Sequence, residues 1–396
     1  MALYYSPVVF AYLLGACFSP SIRPGRLILI GAVTIISFVV LFAPLLLGAV
    51  YNDYRETPSI NAKLPPPALL TEALRNLSVD IDSSSYAYTI LLQASQSVYR
   101  IFPFARGLFE DKVANFWCVL NHAVIKLSAL PTSIPLPRLS LYFTLIPISP
   151  ASIILLINPR KSILLPALAS CAWGFFLFSF QVHEKSVLLP LLPMTLLLFS
   201  NKGLSPSIRA WVGLANILGT WTLYPLLKRD DLRTPYAVIT FLWSYLLGLP
   251  PTSISLYIPQ TSAMTNEATT SDTPNLLTTL THISLYAAML FWHALETFLP
   301  PPQNKPDLWV VLNVIIGAAG FSLCYLWCTW KVVLGSGMLD NIIEKLEQRK
   351  AKNQKKTKQL QLQSQKQHQQ QQQHSVRSSP SPQTNGNGTG KGGKKR

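Results

Sequence analysis

The chain has 396 residues, 49% hydrophobic and only 13% charged, with a formal net charge of +16. Several apolar runs reach the roughly 20 residues that a bilayer crossing needs, which marks a polytopic helical membrane protein. A closed barrel is excluded, because its strands read as weak alternating segments of about 10 residues rather than continuous runs.

The predicted elements begin at once. Met1 opens into an apolar stretch, 2–18, read as a span because it has neither a basic leader nor a cleavage site. A second span covers 27–50. The loop 51–112 follows, with Asp53, Glu56, Glu72, Asp80 and Asp82 and the glycosylation sequon Asn76-Leu77-Ser78, features that suit the lumen. Segment 113–130 is apolar but carries Asn121, His122 and Lys126. Seven further spans are expected at 139–158, 162–180, 187–200, 208–227, 235–250, 281–299 and 308–334, about nine in all. Prolines inside them, such as Pro147 and Pro150, require neighbours that re-satisfy the freed backbone groups.

Basic loops set the orientation. Arg23 and Arg26, and then Arg160 and Lys161, read as cytosolic. From Lys331 to Arg396 there are 14 Lys/Arg against 3 Asp/Glu, so +11 of the +16 sits in a cytosolic tail. Counting crossings back from the tail puts the loop after 162–180 in the lumen. Segment 113–130 should then not cross, but be re-entrant or lie on the lumenal surface. The same count puts Lys228 and Arg229 in the lumen and places 251–280, which has no Lys or Arg, in the cytosol. Residues 1–335 form the membrane region, and 336–396 a basic, Gln-rich, largely disordered tail. The stripe Leu339, Ile342, Ile343 and Leu346 suits an interfacial helix. The tail's charge suits anionic lipid, and no nucleic-acid partner is expected. The five cysteines all lie in or beside apolar segments, and no metal-ligand spacing or glycine-rich phosphate loop appears.

Three constellations carry chemistry. In "FLFSFQVHEKSVLLPLLP", His183, Glu184 and Lys185 interrupt an apolar run. Ionisable groups at membrane depth cost several kcal/mol unless they pair or face a polar cavity. Three consecutive residues cannot share one helix face, so at least one should point into such a cavity. Lys185 and His183 suit a phosphate there, with Glu184 holding either in place. In "YRIFPFARGLFEDKVANFW", Arg100 and Arg106 alternate with aromatic residues, a pattern that suits a headgroup layer or a phosphate. In "YPLLKRDDL", Lys228, Arg229, Asp230 and Asp231 read as a solvated helix cap. His293 and Glu296, one turn apart, are placed to pair with each other.

The first two stretches, and "PDLWVVLNVIIGAAGFSLCYLWCTW", resemble the glucosyltransferases of the endoplasmic reticulum that use dolichyl-phosphate glucose, and within them the branch that adds the first glucose to the lipid-linked oligosaccharide. The resemblance covers most of 1–335. It implies a GT-C-like helical bundle in the ER membrane with its active site in lumenal loops. The implied reaction moves glucose from dolichyl-phosphate glucose to a mannose of the lipid-linked oligosaccharide with inversion, giving an α-1,3 linkage, and needs no cofactor. It makes His183 and Lys185, and less directly Arg100 and Arg106, candidates for binding the donor phosphate, and Glu184 the group that orients them. The family's general base lies in an Asp-Tyr-Pro-Pro-like motif of its first lumenal loop. Here Asp53-Tyr54 is followed by Arg55, and Met1 falls in the middle of the family pattern. The expectation is a truncated form without its base, not catalytic alone. A lipid or solute transporter, or a non-catalytic scaffold, is the alternative; a transporter should show internal repeats.

Overall fold

In a hydrocarbon layer every backbone N–H and C=O needs a partner inside the protein, so long apolar runs become helices. The computed structural model describes residues 2–55, 68–77, 81–82, 85–101, 112–126, 136–179, 182–200, 205–258, 273–340 and 386, and all regular elements among them are helical. The chain divides into two compact units, Met1–Ser336 and Gly337–Arg396. In the second unit only 337–340 and 386 are described, so the tail's predicted stripe beyond Leu339 and its glutamine run lie outside the described residues.

Helices α1 (Ser6–Phe18) and α2 (Pro24–Tyr54) open the first unit. Within the predicted loop come α3 (Ala68–Leu77) and α4 (Tyr86–Ile101). The short α5 (Phe116–Val119) runs into a π turn, Leu120–Val124. The bundle continues with α6 (Leu136–Ile157), α7 (Leu164–Phe178), α8 (Leu188–Leu196) and α9 (Pro206–Thr222). It closes with α10 (Tyr224–Arg229), α11 (Arg233–Leu246), α12 (Leu276–Phe298) and α13 (Leu308–Gly335). Side chains written into the sequence start several of these. Asn115 accepts the N–H of Cys118 at 2.9 Å, Ser205 that of Ile208 at 3.4 Å and Asn275 that of Thr278 at 2.8 Å, each satisfying an orphan amide of a first turn.

Among the described residues, four helical stretches are long and apolar enough to cross a membrane: Pro24–Tyr54, Leu139–Ile157, Lys161–Phe178 and Leu308–Gly335. The five other expected spans coincide with α1, α8, α9 with α10, α11 and α12, which are shorter or more polar. Segment 113–130 contains, in its described part, only α5 and the π turn. Trp117 pins it to the end of α7 by donating Nε1–H to the Phe178 carbonyl at 2.6 Å.

Helix α7 is the axis of packing: eleven of its fifteen residues are buried. Trp173 stacks on Phe321 of α13 with centroids 4.8 Å apart, and Phe176 meets the same ring edge-on. Lipid tails are as apolar as leucine, so close packing and interhelical hydrogen bonds hold such a bundle. Ser170 and Thr329 share a hydrogen bond of 2.8 Å between α7 and α13, and Asn313 donates to the Trp221 carbonyl at 3.2 Å. Gly15 of α1 meets α6 backbone to backbone: a Cβ there would lie 2.6 and 2.7 Å from the carbonyl oxygens of Leu156 and Leu155. The proline problem in α6 is solved locally. Pro150 has no N–H for the Ile146 carbonyl, and Ser149 Oγ donates to it instead at 2.8 Å.

Candidate functional site

Residues 182–187 form the turn between α7 and α8. Val182 and Val187 are buried on either side of it, while His183 and Lys185 are exposed and Glu184 is half-buried. The two valines fix the turn in the bundle, and the ionisable residues between them face outward. His183 is extended and caps the 3-10 helix Glu184–Val187: its Nδ1 accepts the backbone N–H of Lys185 at 3.1 Å. That bond assigns the neutral ring's proton to Nε2, the nitrogen that can donate to a ligand.

This turn lines a cavity of about 360 Å³, within the range of small-ligand sites. The lining residues are Lys112, His183, Glu184, Lys185, Leu226, Arg229 and Val310. Three segments distant in sequence therefore bring charge to one end of the bundle. Lys112 pairs with Asp307 at the start of α13, 2.5 Å away. Beside the cavity, Lys228 of α10 pairs with Glu296 of α12. Among the described residues, Lys112, Lys185, Arg229 and His183 line the space with one carboxylate, Glu184, and Lys112 is already paired with Asp307, so the balance left by these residues is positive. Backbone geometry closes α10 beneath Arg229. Asp231 adopts φ +56°, and the Leu232 N–H reaches back to the Leu227 carbonyl at 2.8 Å, a helix-ending arrangement of the left-handed type.

His183, Glu184 and Lys185 thus come together in one cavity. Arg100 ends α4, but its side chain lies outside the described residues, as do Arg106, Glu110 and Asp111. The structure adds Arg229 and Lys112. Arg229 ends α10 and is exposed, as a solvated cap would be, and it also lines the cavity, while its neighbour Lys228 is held by Glu296. His293 and Glu296 do not pair directly with each other. His293 Nε2 lies 3.1 Å from the Tyr236 hydroxyl, and Glu296 reaches Lys228, because their ends of α12 face α11 and α10 respectively. Asn76 is exposed on α3.

The profile of the ALG6, ALG8 glycosyltransferase family matches residues 1–66 and 81–330. A Schizosaccharomyces pombe protein named probable dolichyl pyrophosphate Man9GlcNAc2 alpha-1,3-glucosyltransferase is 38% identical over 327 residues, covering 83% of this chain and 52% of its own length. The Saccharomyces cerevisiae protein of that name, without "probable", is 37% identical over 342 residues, 84% of this chain and 55% of its own. The mouse protein is 31% identical over 332 residues, 81% and 55%. The chain spans about half the length of these curated relatives. The family profile covers far more than half of the chain, and the relatives align along most of it. The chain belongs to the ALG6, ALG8 glycosyltransferase family.

Proposed function

We propose that the chain carries the donor-phosphate site of a glucosyltransferase of N-glycan precursor assembly in the ER membrane, without the general base, so that the activity belongs to a form as long as the curated relatives. That form takes glucose from dolichyl-phosphate glucose and passes it to the mannose arm of a dolichyl-diphosphate-linked oligosaccharide, with inversion and an α-1,3 linkage. One observation carries this reading: a cavity at one end of the helical bundle that, among the described residues, gathers Lys112, His183, Lys185 and Arg229 with Glu184. The reaction releases a lipid phosphate, and fixed positive charge at that group lowers the barrier by electrostatic stabilisation. His183 offers Nε2–H to a phosphate oxygen, Lys185 a point charge, and Glu184 orients them; Arg100 and Arg106 remain secondary candidates for the same group. The names of the relatives, which specify a Man9GlcNAc2 acceptor and an α-1,3 product, support the acceptor and the linkage.

The proposed architecture is GT-C-like, with nine spans in residues 1–335, loop 51–112 in the lumen and the tail 336–396 in the cytosol. The distribution of cations supports it. Arg160 and Asn158 bond the carbonyls of Gly335 and Ser336 at one end of the bundle, where the turn between α6 and α7 carries Arg160 and Lys161. The cavity lies where α7 ends and α8 and α13 begin, the end that the proposed nine-span path assigns to the lumen.

The test is glucosylation from dolichyl-phosphate glucose with His183→Ala and Lys185→Ala introduced separately into a form as long as the curated relatives, which carries the general base. Each is expected to lower the rate at least tenfold, the scale on which lost charge-assisted contacts act. Wild-type rates in both variants would remove these residues from the mechanism.

A further inference from the structure

Helix α10 has six residues, too few to hold its own orientation, since isolated helices shorter than about 12 residues are marginal. Its contacts divide by face. Leu226 and Arg229, three residues apart, lie on one face and line the cavity. Lys228 lies off that face and is ion-paired with Glu296, whose side chain is only 11% exposed. At the start of α10, Tyr224 is buried edge-on against Trp292 and His293 of α12, centroids 5.8 and 4.6 Å away. The tyrosine fixes where the helix begins, but a ring at one end does not set how its other end is turned.

We infer that Glu296 is a positioning residue for the anion site: by holding Lys228 it fixes the rotation of α10 and keeps Arg229 directed into the cavity. This rests on the proposed phosphate-binding role of the cavity and names a second layer that builds it. Arg229 is well placed to be the movable member of the set. Its side chain is 75% exposed, and its nearest carboxylate among the described residues, Asp230, is 3.8 Å away, too far for a strong hydrogen bond. Without the Lys228 tether, the C-terminal turn of α10 can rotate, and Arg229 leaves the cavity rim. A guanidinium fork matches two phosphate oxygens at once, so its direction matters more than its charge.

The test uses the purified full chain with farnesyl phosphate as a short lipid-phosphate probe and farnesol as its uncharged control. Wild type should bind the phosphate more tightly than the alcohol; equal affinity would overturn the phosphate site itself and this inference with it. Given that preference, Arg229→Gln should weaken farnesyl phosphate binding about tenfold and leave farnesol unchanged. Glu296→Gln should reproduce that loss, and the exchanged pair Lys228→Glu with Glu296→Lys should restore most of it. Binding to Arg229→Gln at wild-type affinity would overturn the inference while leaving His183 and Lys185 in place. So would a loss in Glu296→Gln that falls equally on farnesol, or that the exchanged pair does not recover, since either marks a general packing defect.

Discussion

Tyr5 donates its hydroxyl to the Leu189 carbonyl at 2.6 Å. Pro193, one turn further along α8, has no N–H to offer that carbonyl, so a residue at the other end of the chain supplies the missing proton. The bond ties the start of α1 to the helix that begins just after His183–Lys185. Tyr5→Phe should therefore destabilise the protein by about 1 kcal/mol, the net worth of a part-buried hydrogen bond. Thermal unfolding in nanodiscs measures it. In a Pro193→Ala background the backbone amide returns, and the same Tyr5→Phe change should cost markedly less. Equal costs in both backgrounds would show that the hydroxyl does not serve that carbonyl.

His183 caps through Nδ1 and, in the proposed phosphate site, donates through Nε2. Asparagine is among the best helix-capping residues but has no donor at the Nε2 position. His183→Asn should keep the unfolding midpoint near wild type and still lose lipid-phosphate affinity. His183→Ala should lose both, with about 1 kcal/mol of stability gone through the missing cap. An asparagine variant with wild-type affinity would show that the ring acts only as a cap.

Glycines in this chain are not equivalent. Gly15→Ala drives a methyl into two α6 carbonyl oxygens that cannot rotate away, and should cost about 1–3 kcal/mol. Gly31→Ala, on a stretch of α2 with nothing within 4 Å of the added carbon, should be neutral or gain up to about 1 kcal/mol from helix propensity. Unfolding of the two variants side by side checks the contrast; similar losses in both would contradict a close α1–α6 contact.

What the sequence revealed, and what it hid, follows from the range of the forces involved. Apolar runs longer than about 15 residues are local facts, and α2, α6, α7 and α13 stand where hydropathy put them. The His183–Lys185 interruption was visible because charge in an apolar run is costly wherever the chain goes. Arg229 was not visible as a site residue. "KRDDL" reads as an ordinary cap until α10 is seen pinned to α12, and the partner of Lys228 that pins it, Glu296, lies 68 residues away in sequence. Lys112 was hidden for the same reason, since Asp307 is on a distant helix. The pairing of Tyr5 with Leu189 needs knowledge of a proline's orphan carbonyl and of which helix end lies beside it. Local pattern supplies the first, and only tertiary structure supplies the second.

Helix α2 is 31 residues long and has no buried residue. At 1.5 Å per residue it extends about 45 Å, half as long again as a hydrocarbon layer of about 30 Å. Arg23 and Arg26 stand at one end of this rod and Tyr51, Tyr54 and Arg55 at the other, side chains that anchor at opposite headgroup surfaces. A rod this long is accommodated by tilting, and because Arg26 bonds the Ala16 carbonyl at 3.1 Å and Asp53 accepts from Thr89 at 2.9 Å, a change of bilayer thickness that tilts it would also pull on α1 and α4.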